Sequence, residues 1–97
     1  MSIEIKRIDG TVAYESQSAT SLREAVAEAV RQGVALAGAN CSLANFSGAN
    51  FSGASFYGAN FSLANFSGAN FSGASFYGAN FFGVEGILHV GPVDGWD

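Results

Sequence analysis

Alanine recurs every fifth residue without a miss, at Ala39, Ala44, Ala49, Ala54, Ala59, Ala64, Ala69, Ala74 and Ala79. Two residues after each comes an aromatic ring: Phe46, Phe51, Phe56, Phe61, Phe66, Phe71, Phe76 and Phe81, with Cys41 in the first slot. The residue between is Asn or Ser, and the other two positions are mostly Ser-Gly. Neither regular element has this period. A five-residue step carries an α-helix about 140° past a full turn, which would scatter the rings round the cylinder. In a plain strand the same step puts successive rings on opposite faces. What satisfies the pattern is a short extended piece, with Ala and Phe on one side of it, followed by a corner. Glycine in the corner tolerates the positive φ that tight turns need.

If every corner turns the same way by about a right angle, four pentapeptides close one square coil, and like residues recur every 20. The sequence tests this independently. Leu43 and Leu63 replace Gly, Ser55 and Ser75 replace Asn, and Tyr57 and Tyr77 replace Ser, each pair 20 apart. Residues 41–60 and 61–80 are identical except for Cys41 against Phe61. Coils would stack at ~4.8 Å, with Phe46 against Phe66, Phe51 against Phe71, and Tyr57 against Tyr77 outside. The expected fold is an all-β solenoid of under three coils, about 13 Å tall.

The flanks are different in kind. All four basic residues (Lys6, Arg7, Arg23, Arg31) lie in residues 1–32, and residues 33–84 carry no charge. Ile3, Ile5, Val12 and Tyr14 alternate about Asp9-Gly10, which predicts a hairpin with a two-residue turn. Ser21 and Glu24 have capping-box spacing. Leu22, Val26, Ala29 and Val30 form an apolar stripe, so a helix from about Leu22 to Gln32 is expected, stopped by Gly33. The organisation expected is a hairpin and helix over 1–33, repeats over 34–88 and a tail over 89–97. Ser21, Leu22, Glu24, Val26 and Val30 would make that helix a lid on the N-terminal coil end. The tail from Ile87 to Asp97 reads as a short cap or a natural segment cut back.

Ala44-Asn45-Phe46-Ser47-Gly48 and its neighbours resemble the pentapeptide-repeat proteins, whose pattern is Ala-(Asn/Asp)-(Leu/Phe)-X-X. The resemblance spans about residues 34–88. It implies a right-handed quadrilateral β-helix, here with an N-terminal β-hairpin and α-helix cap. Uniform Phe and near-perfect coil duplication read as marks of a synthetic or engineered member. Some family members resemble duplex DNA in shape and charge and engage DNA gyrase, which supplies the alternative functional reading. That mimicry needs carboxylates spaced like phosphates, and residues 33–84 contain none.

The residues point away from catalysis. Cys41 sits in an inward slot and reads as a small core residue. His89 is the only histidine and lies in an apolar run. No serine occupies a nucleophile elbow, and glycine recurs at corner spacing rather than in a phosphate loop. No catalytic, cofactor or metal site is expected, and no small-molecule substrate. A net charge of −4 argues against nucleic acid as a partner. Residues 61–80 hold four Ser and three Asn, too polar for hydrocarbon. Residues 1–30 lack the pattern of a signal peptide, so the expected location is cytoplasmic. The expected function is a structural scaffold stabilised by Phe and Ala ladders. Its expected partner is a second copy, forming a dimer through the C-terminal end. Trp96, Phe82, Leu88, Tyr57 and Tyr77 are the candidate interface residues.

Overall fold

The computed structural model describes residues 2–86. Strands β1 (Ile3–Lys6) and β2 (Val12–Ser16) pair antiparallel, and helix α1 (Leu22–Arg31) follows. The hairpin loop is longer than the sequence predicts. Arg7 N–H donates to Thr11 O at 2.7 Å, and Gly10 N–H donates to Arg7 O at 2.9 Å. The loop is therefore Ile8-Asp9-Gly10, with Gly10 left-handed at φ 92. Asp9 makes the difference. Its carboxylate accepts from the Thr11 amide at 3.0 Å and the Thr11 hydroxyl at 2.7 Å, and so holds the extra residue in the loop.

Helix α1 begins where the capping signal lies. Ser21 Oγ accepts from the Glu24 amide at 3.2 Å. The Glu24 carboxylate departs from the expected box and reaches one residue further back. It accepts from the amide and hydroxyl of Thr20, both at 2.8 Å, and these bonds hold its pKa below the usual carboxylate range. Ala25, Val26 and Ala29 are buried, while Leu22 and Val30 are half-buried. The helix stops at Arg31, one residue before the expected end, with Gln32 as its C-cap.

Beyond the helix, the chain stacks on itself every 20 residues. Parallel one-residue bridges join Asn40 to Asn60, Asn45 to Asn65, Asn50 to Asn70, Ser55 to Ser75, Asn60 to Asn80 and Asn65 to Glu85. The hydrogen bonds recur with the same period. Cys41 N–H donates to Asn60 O at 2.7 Å, Leu43 N–H to Ser62 O at 2.9 Å, and Asn60 N–H back to Ala39 O at 2.9 Å. The expected α-helix is present, and the expectation of an all-β solenoid is corrected in one respect: the only continuous strands among the described residues are β1 and β2. The reason lies in the repeat: each pentapeptide contains a four-residue turn, so one outward residue is left to pair.

Those turns account for the spacing. Ala49 N–H donates to Phe46 O at 3.0 Å, and Gly48 sits at the third turn position with φ 71. A positive φ there is the type II signature. The Asn side chain braces the turn, as Asn45 Oδ1 accepting from Ser47 N–H at 3.0 Å and Asn65 Oδ1 from Ser67 N–H at 3.0 Å show. Where Ser replaces Asn, the side chain is shorter. Ser75 Oγ is buried without a hydrogen-bond partner among the described residues.

Leu43 and Leu63 occupy the glycine position at φ 63 and 61. An L-residue held there is strained by about 1–2 kcal/mol. Leu43→Gly should relieve that strain and, after the extra chain entropy of glycine, raise stability by about 0.5–1 kcal/mol. A urea unfolding curve in dilute solution checks this, and an unchanged or lower midpoint contradicts it.

Inside, the rings form two kinds of contact. Round a coil they meet edge to face, with Phe46–Phe51 centroids 5.1 Å apart at 76° and Phe56–Phe61 at 4.9 Å and 78°. Between coils they stack: Phe46–Phe66 at 5.6 Å, Phe56–Phe76 at 5.5 Å and Phe61–Phe81 at 5.5 Å. Phe51–Phe71 is tilted by 36° rather than parallel. Both geometries suit the ring quadrupole.

Candidate functional site

The ladder residues lie where the repeat phase puts them. Cys41, Phe46, Phe51, Phe56, Phe61, Phe66, Phe71 and Phe76 are buried, and Phe81 is half-buried. One rung escaped the sequence reading. Leu36 is fully buried, and its N–H donates to Ser55 O at 2.9 Å, as a ring residue's amide does one coil up. The signal was available, because 36 lies five before 41.

Cys41 is enclosed, and burial pushes its thiol up to about 12. The thiolate is the reactive form, so this sulfur is inert in the native state.

The hairpin is tied to both neighbours. Toward the coils, Asn40 N–H donates to Lys6 O at 2.7 Å and Ile8 N–H to Gly38 O at 2.8 Å, so Arg7 bridges Ala39 antiparallel. Toward α1, the Glu28 carboxylate accepts from the hydroxyls of Tyr14, Ser16 (3.1 Å) and Ser18 (3.0 Å). Ser16 is itself fully buried, and its Oγ also accepts from Ala19 N–H at 2.9 Å. No periodic pattern marks this clasp, and the sequence reading missed it.

The Tyr14 hydroxyl is the main cause holding Glu28 below the usual carboxylate range, with Ser16 and Ser18 adding to it. A depressed folded-state value contributes stability above the unfolded value of roughly 4.3, and that stability is lost as pH falls through the folded value. Glu28→Gln should therefore lower the melting temperature at pH 7 and converge with the parent in acid below that window. A melting difference that persists unchanged into acid contradicts the assignment.

The described surface offers grooves rather than a deep cleft. The groove beside α1 is lined by Arg23, Glu24, Ala27, Arg31, Gly48, Ala49 and Asn50. Another, at the hairpin loop, is lined by Arg7, Ile8, Asp9, Ala37 and Gly38. Among the described residues there is no group of three or more His, Cys, Asp or Glu placed to hold a metal. No helix among them is long and apolar enough to cross a membrane.

Of the candidate interface residues, Tyr57 and Tyr77 are exposed and stacked on each other at 5.7 Å, and Phe82 is 74% exposed. Trp96, Leu88 and His89 lie outside the described residues, as does the tail over 89–97. Leu43 and Leu63 join the exposed group.

No match is found among curated proteins. None is found among solved structures. The profile of pentapeptide repeats, eight copies long, matches residues 32–62 and 50–84, together more than half of the chain. With that match and the twenty-residue hydrogen-bonded stacking of Ala and Phe rungs, the chain belongs to the pentapeptide-repeat family.

Proposed function

We propose that the protein is a non-catalytic structural scaffold, a right-handed four-sided β-helix whose hairpin and α1 cap its N-terminal end. The observation that carries this reading is the unbroken ladder from Leu36 to Phe81, in which the phenylalanines that follow the repeat phase are buried and Phe81 is half-buried. The enclosed Cys41 thiol, pushed up to about 12 by burial, supports its reading as a core residue and not as a nucleophile. The duplication of 41–60 in 61–80 supports an engineered origin.

The scaffold self-associates, and its C-terminal end, where Phe82 is exposed, takes part. Support comes from the number of large apolar side chains left in water: Ile8, Val12, Leu43, Tyr57, Leu63, Tyr77 and Phe82. DNA mimicry gains no support, since Glu85 is the one acidic residue between 33 and 86. Light scattering after size exclusion tests the reading. A mass of twice 10.0 kDa is expected, and a steady 10.0 kDa across a hundredfold concentration range overturns self-association.

A further inference from the structure

Both ends of the ring ladder are closed, but the described residues account for only one of the closures. At the N-terminal end, Ala25, Val26 and Ala29 of α1 share a core cluster with Cys41 and the first rings. The last coil contributes Phe66, Phe71, Phe76 and Phe81, each packed on the ring twenty residues earlier. Neighbours in the same coil flank them, as Phe66–Phe71 at 5.0 Å and Phe71–Phe76 at 5.2 Å. Their upper side has no described coil on it, since the last bridge joins Asn65 to Glu85. Rings left open on that side would stand partly in water. Instead Phe66 is 0% exposed, Phe71 3% and Phe76 2%, and Phe81 is half-buried.

The backbone points to what covers them. The ladder slot above Phe66 falls on Gly86, at φ 69, where a side chain would collide with Ser67. Glycine there lets the chain press against the coil beneath it just where residues 87–97 begin. That segment carries Ile87, Leu88, Val90, Val93 and Trp96. Extended, it reaches up to about 36 Å, enough to cross a molecule whose two shorter extents are 25 and 23 Å. Continued past Gly86, the twenty-residue register sets Trp96 above Phe76.

We infer that residues 87–97 of this chain lie across the last coil as its cap, with Trp96 on the ring side. A single copy already buries Phe66, Phe71 and Phe76, so the cover needs no partner. The inference goes beyond the self-association proposed above, because this contact is made within one molecule. It leaves Phe82, on the outside of the coil, exposed for contact with a second copy. The cap also decides how association can proceed. An open coil end is a template on which further coils stack, and a covered one is not. Pairing therefore closes instead of growing end to end.

Trp96 is the only tryptophan, so its fluorescence reports on the cap directly. In the full chain, acrylamide should quench it severalfold less than in the urea-unfolded chain, and equally so across a hundredfold range of concentration. Leu88→Asp with Val90→Asp should raise quenching toward the unfolded value, increase binding of an apolar dye and lower the urea midpoint. The parent measurement decides whether or not this variant folds. Parent quenching as strong as in the unfolded chain overturns the cap. So does a variant that keeps the parent's quenching and dye binding. Protection that vanishes on dilution assigns the cover to a second copy and overturns the reading as well. Protection that persists at a steady 10.0 kDa supports the cap while overturning self-association.

Discussion

Phe66→Ala should destabilise the protein by about 3–5 kcal/mol, the usual cost of emptying a buried aromatic site. Phe66 is fully buried and has rings on four sides: Phe46 at 5.6 Å, Phe61 at 5.2 Å, Phe71 at 5.0 Å and Phe81 at 6.3 Å. A small domain has little stability in reserve, so this loss leaves much of the population unfolded at 25 °C. Phe81→Ala removes the same atoms from a half-buried site and should cost less, about 1.5–3 kcal/mol. Urea unfolding of the two variants measures the difference. Equal losses would mean that the interior does not depend on rings enclosed from above and below.

Cys41→Phe should destabilise by about 1–3 kcal/mol, although it makes residues 41–60 identical to 61–80. Repetition alone predicts the opposite, because Phe fills each later slot. Packing decides against repetition. Cys41 is fully buried, in one core cluster with Ile5, Leu36, Ala25, Val26 and Ala29, and not only with other rungs. A ring added there adds volume to a filled core next to Asn40, whose bond to Lys6 ties the first coil to the hairpin. Thermal melting checks it. A raised midpoint would show that the first coil has room for a ring and that the consensus residue is preferred.

The part of the fold legible in the sequence is the part built by repetition. Paired departures such as Leu43 with Leu63 and Tyr57 with Tyr77 mark the twenty-residue register in the sequence itself, because stacking requires like above like. What stayed hidden depends on one-off contacts. Nothing periodic announces that Arg7 will bridge Ala39, or that Glu28 will gather three hydroxyls from β2 and the segment after it. The hairpin loop came out three residues long because a single Asp9 carboxylate bonds Thr11 twice, which outweighs the preference of Asp-Gly for a two-residue turn. The strain at Leu43 and Leu63 was hidden for another reason: replacement of glycine was visible, but its φ was not. The bulky exposed residues were legible one by one, and their alignment in two corner columns, Tyr57 with Tyr77 and Leu43 with Leu63, follows once the register is applied to the corners.

The central claim is that residues 20 apart lie directly above one another, and cross-linking tests it most directly. In a Cys41→Ala background, Ser47→Cys with Ser67→Cys places two thiols on adjacent coils, where stacking at ~4.8 Å is within disulfide range. Mild oxidation should close this bond within one molecule. Ser52→Cys with Ser67→Cys, 15 apart and on different corners, should stay reduced under the same conditions. Cross-linking of both pairs at similar rates, or of the second pair alone, would contradict the stacked coil.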